Sequence, residues 1–127
     1  MLNTLTRMAE YKERMASLVK LHAFWRAAWE GIDTCPVWRD TFERHADVDP
    51  YRVMEETQAE ARSLAERHAH AFVLSDFIHA SHIEAMRLPW YRFSLSHENR
   101  DACYADSIRF LTQDKKWRGL PYKLIEV

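Results

Sequence analysis

The chain has 127 residues, 47% of them apolar, with 18 Lys and Arg against 19 Asp and Glu for a formal net charge of −1. That length buries a core without disulfide or metal staples and fits one domain, residues 1–127. Only two glycines and four prolines are present, which excludes a Gly-rich phosphate loop and favours long helices over many short strands.

A first helix is predicted over residues 3–30, with Asn3 or Thr4 as N-cap and Gly31 where a C-cap glycine belongs. Met8, Tyr11, Met15, Leu18, His22, Trp25, Trp29 and Ile32 recur along it at 3,4 spacing, so they share one face and must be buried against another helix or another chain. A short second helix starts at Pro36 and carries Val37, Trp38, Phe42 and His45. The third has the clearest start, Asp49 as N-cap with Pro50 at N1, and its pattern runs unbroken to Leu88-Pro89. As one straight rod, residues 50–87 would span roughly 57 Å, against a radius of gyration of about 14 Å for a compact domain of this size. The helix is therefore expected either to break between Arg67 and Ser75, with Ser75 recapping, or to project and be covered in a homodimer.

After Pro89 the texture changes. Tyr91, Phe93 and Leu95 alternate with polar residues, as in a short half-buried strand. Ser96 is a candidate cap for a fourth helix with Ala102, Ala105, Ile108 and Leu111 along one face. Residues 122–127 then read as a second strand. The predicted fold is mainly α: a bundle of about four helices, with residues 1–88 as its core and residues 89–127 as a strand-helix-strand portion contributing a small C-terminal β element.

No basic segment followed by an apolar run opens the chain, and no stretch approaches the roughly 18 apolar residues of a membrane span. A soluble, cytoplasmic protein without a membrane partner is expected, with Cys35 and Cys103 as reduced thiols.

No sequence motif assigns a catalytic residue. Two patterns bear on binding. Arg87, Trp90, Tyr91 and Arg92, together with Lys115, Lys116, Trp117 and Arg118, interleave aromatic and basic side chains. Such a surface anchors a protein partner or stacks on single-stranded nucleic acid, and the weak overall charge puts protein first. Aromatics in such turns also plug the ends of helical cores. The second pattern is histidine: His68, His79 and His82 fall on one side of the third segment, and His22 lies on the facing seam. Zinc or another transition ion is the alternative ligand there, although no Cys-x-x-Cys, His-Glu-x-x-His or Glu-x-x-His pair accompanies them. The expected function is that of a small macromolecule-binding regulator, inhibitor or adaptor needing no cofactor; a histidine-based metal or small-ligand site, with or without catalysis, is the alternative.

Overall fold

The computed structural model describes residues 2–31, 35–36, 39, 49–95 and 100–113. Among these the chain forms five helices and no strand: α1 (Leu2–Gly31), α2 (Pro50–Arg67), α3 (Leu74–Ala85), α4 (Pro89–Leu95) and α5 (Arg100–Gln113). None of them is long and apolar enough to cross a membrane. Most of the helix expected from Pro36, and the strand expected at residues 122–127, lie outside the described residues.

The first helix is the spine. At 30 residues it is about 45 Å long, whereas α2 with 18 and α3 with 12 reach only about 27 and 18 Å. All of α2, α3 and α4 pack on it, and α5 packs on α4. Two apolar clusters fix the directions. Leu18 gathers Leu64 near the end of α2 and Phe77 near the start of α3. Further along α1, Leu21, Phe24, Trp25 and Ala28 gather Val53 near the start of α2, Ala85 at the end of α3, and Trp90 of α4. Helix α2 therefore runs antiparallel to α1, and α3 runs parallel to it, in an up-down-up order.

This environment sharpens and corrects the seam. Leu18, His22 and Trp25 are buried as expected, but between Leu21 and Ala28 only Arg26 escapes full burial, so here α1 is enclosed nearly all round rather than on one stripe. The stripe emerges instead at Met8, 42% exposed, and at Trp29, 52% exposed, and Ile32 lies outside the described residues. Trp29 lies beside Tyr51 on the outside, their ring centroids 6.2 Å apart. Nor is Gly31 a left-handed cap, since no glycine among the described residues has positive φ; it is buried against Trp90.

The long segment does break, for a specific backbone reason. Helix α2 begins as expected, with Asp49 accepting from the Tyr51 N–H at 3.1 Å and Pro50 in its first turn. Its end is a Schellman motif: His70 donates to the Ala65 carbonyl and Ala69 to that of Glu66, with Ala69 left-handed at φ 55°. Residues 68–73 turn the chain back. Ser75 does not recap it, because the N-cap of α3 is Val73 and no side chain bonds there.

The strand expected at Tyr91, Phe93 and Leu95 is α4. Tyr91 and Leu95 are also an i,i+4 pair, so five alternating residues suit a helix as well, and Pro89 presets the φ of the first turn. The face expected for the last helix is also displaced. Ala102, Ala105 and Ile108 are exposed, while Cys103 and Ser107 are buried, with the Ser107 hydroxyl donating to the Cys103 carbonyl at 2.7 Å. Both cysteines are free and buried in the second cluster.

Two expectations follow. Trp25→Ala should cost about 3–5 kcal/mol in urea unfolding, because the ring is fully enclosed, while Trp29→Ala should cost under about 1 kcal/mol. Ala69→Gly should stabilise the fold by up to about 1 kcal/mol by removing the left-handed penalty on an L-residue, read from the same unfolding curves.

Candidate functional site

The seam residue that does not belong to an apolar core, His22, is 1% exposed and sits where α1, α2 and α3 meet, between the two apolar clusters. Its Nδ1 is hydrogen-bonded to the Ser81 hydroxyl of α3, and its Nε2 lies 3.0 Å from Nε2 of Gln58 on α2. The Phe77 ring meets it edge-on at 5.2 Å. An amide nitrogen only donates and a neutral imidazole carries one N–H, so Gln58 donates to Nε2, and Nδ1–H donates to Ser81 Oγ. The ring thus ties three helices together. One turn along α1, Arg26 reinforces the α3 contact by donating to the Ile78 carbonyl at 3.2 Å, and its Nε pairs with Glu30 at 3.2 Å.

Burial, and secondarily the nearby positive charge of Arg26, lower the His22 pKa from 6.5 to about 4. The imidazole is therefore neutral at ordinary pH. A serine hydroxyl on a histidine nitrogen is also the pairing that activates nucleophiles, but Ser81 is 0% exposed and the third group is an amide rather than a carboxylate. In this fold the network is a structural pin.

The other expected site residues are dispersed. His68 caps the end of α2, its ring 5.2 Å from Tyr11, whose other contact is a stacked His70 at 4.6 Å. His79 is exposed; His82 is half-buried against Tyr91, its Nδ1 without a hydrogen-bond partner among the described residues. The set does not converge, and among the described residues no three His, Cys, Asp or Glu side chains are placed to hold a metal ion. Of the aromatic and basic positions, Arg87 and Arg92 are exposed, and Arg87 pairs with Glu84 at 3.2 Å. Trp90 and Tyr91 are core residues at 0% and 7% exposure, with Trp90 edge-on to Phe24 at 5.3 Å. They plug the end of the bundle because Pro89 starts α4 against α1. Burial, reinforced by Glu30, raises the Tyr91 pKa above the usual phenol value. Lys115, Lys116, Trp117 and Arg118 lie outside the described residues.

A different surface opens between α1 and α3. It is a cleft of about 330 Å³ with an apolar floor of Tyr11, Met15, Ala16, Val19 and Ala80, edged by Lys12 and Lys20 on the α1 side and Glu84 on the α3 side. Leu5 and Met8, 69% and 42% exposed, prolong the apolar strip along α1. The sequence contains this strip as Leu5, Met8, Lys12, Met15 and Val19, a second run at 3,4 spacing. It shares Met8 and Met15 with the core seam, and Lys12 interrupts its apolar character. No protein-family model, curated protein or solved structure matches this chain.

The depressed histidine pKa gives a pH dependence of defined sign. Between pH 6.5 and about 4 the unfolded chain binds a proton at His22 that the folded chain does not, so stability falls as the pH drops through this window and is unaffected by His22 above it. The full loss is about 3 kcal/mol from the difference of roughly two and a half pH units. Urea unfolding at several pH values should show this slope in the native chain and lose it in His22→Gln. An equal slope in both would assign the pH dependence to other groups.

Proposed function

We propose that this chain acts by binding another protein, in the manner of a regulator, inhibitor or adaptor, and that its contact face is the cleft between α1 and α3 rather than an aromatic and basic surface around α4. The observation that carries this reading is the exposed apolar strip that leads from Leu5 and Met8, past Lys12, into the floor of the cleft. Scattered surface apolar residues are ordinary, but a concave run of them between two helices, edged by charge, has the anatomy of a protein contact: an apolar centre and a polar rim. Its rims carry both signs, which suits a protein segment better than a polyanion, and the chain as a whole is not basic. An apolar helix face is the natural complement, set into the groove by residues at i, i+3 and i+7. Trp90 and Tyr91, committed to the core, are not available as anchors for a partner.

The test is a photo-crosslinking residue placed at Ala16, which is exposed and lines the cleft, with Glu66, exposed on α2, as the comparison position. Protein adducts should form from Ala16 and not from Glu66. Met8→Glu should reduce adduct yield by tenfold or more, on the order of one lost apolar anchor, whereas Arg92→Glu should leave it unchanged. Equal adducts from both positions, or sensitivity to Arg92→Glu alone, would contradict the cleft as the contact face.

A further inference from the structure

Resting on the cleft as a protein-binding face, we infer that its occupant is a second copy of this chain, joined about a twofold axis that runs along the helices. The two rims of the cleft carry opposite charge. Lys12 and Lys20 stand on the α1 side and Glu84 on the α3 side of one shallow apolar floor. A twofold axis parallel to the groove lays α1 of each copy over α3 of the other without changing height along the axis. With Leu18 level with Phe77, Glu84 stands about 7.5 Å further along than Lys20, a gap that the two extended side chains span to pair Lys20 with the partner's Glu84, and symmetry repeats the pair. An axis across the helices would instead set lysine rim on lysine rim, so the pattern selects one of the two ways of closing the face on itself. The Arg87 bond to Glu84 does not remove this complementarity: Arg87 is 71% exposed in its side chain, the pair is an exposed one, and a carboxylate accepts from more than one donor.

The lengths of the helices agree with this occupant. With Leu18 level with Phe77, the α1 turns that carry Leu5 and Met8 overhang the start of α3. In the twofold pair both overhangs emerge at the same end, where neither α3 stands between them. Leu5 and Met8 of the two copies can then close on each other. Small side chains at Ala16 and Ala80 leave room for the approach of a facing helix.

Sedimentation velocity on the full chain across the micromolar range tests the inference by charge exchange. The native chain should sediment as a dimer. Lys20→Glu and Glu84→Lys should each weaken dimerisation by about tenfold or more, since each sets like charges opposite one another, and combining them should restore it to within about threefold of native. Circular dichroism melting of each variant checks that the bundle is intact; Ala16→Glu, at an exposed position on the floor, should also break the dimer. A chain that stays monomeric while Ala16 crosslinks to a different protein would overturn the second copy and keep the cleft. A dimer indifferent to Ala16→Glu and to both reversals would overturn both readings. Failure of the double exchange to recover what the single reversals lose would overturn the twofold pairing.

Discussion

Three helices share one imidazole. From α1, His22 hydrogen-bonds to both α2 and α3, and it lies between the Leu18 cluster below and the Trp25 and Trp90 cluster above. Apolar packing alone is tolerant of sliding, because one aliphatic surface resembles another. A ring that must reach a hydroxyl on one side and an amide on the other is not, since slipping α2 or α3 by a turn would leave a buried nitrogen unpartnered. The sequence placed a polar residue on an otherwise apolar seam, and its neighbours Gln58 and Ser81 are the polar residues on the buried or half-buried faces of the two facing helices that complete it.

The spine explains why the rest of the chain is arranged as it is. Helices α2 and α3, of about 27 and 18 Å, lie side by side over the same stretch of α1, itself about 45 Å long, and leave its N-terminal turns exposed at Leu5 and Met8. Coverage is concentrated where α2, α3 and α4 all converge, around residues 21–28, and there even Ala23, Ala27 and Ala28 are sealed. The N-terminal turns pass out of this sheath with their apolar residues still in place. Core and exposed apolar strip are thus two lengths of one helix, which is why the seam continuous in sequence is split in the fold.

Much of this was legible and the failures have physical causes. The start of α2 could be read because Asp49-Pro50 combines a side-chain acceptor with a preset φ, and the break after Arg67 because a rod of that length does not fit a compact domain. Its mechanism was hidden, since Ala69 adopts a left-handed conformation that the alanine side chain disfavours and only the surrounding bonds impose. The strand at Tyr91 failed because alternation over five residues does not separate a period of 2 from one of 3.6. The face of α5 failed because small residues carry weak burial preferences: Cys103 and Ser107 went in, and Ala102 and Ala105 stayed out. Composition alone leaves Trp90 and Tyr91 as either surface anchors or plugs of a helical core, and it is the docking of α4 on α1 that makes them core. The cleft is masked in the sequence because a lysine interrupts its stripe, although a long lysine at a rim is compatible with an apolar floor.

The three-helix pin requires a neutral His22 with its proton on Nδ1. Nitrogen-15 NMR of the imidazole measures that directly, because the two ring nitrogens report protonation separately. A resonance pair showing Nδ1 protonated and Nε2 bare, unchanged from pH 7 to pH 6 and shifting only as the pH nears 4 in the folded protein, is what the three-helix pin predicts. An averaged pair that titrates near the ordinary histidine value of about 6.5 would mean that the ring is open to water, and would contradict it.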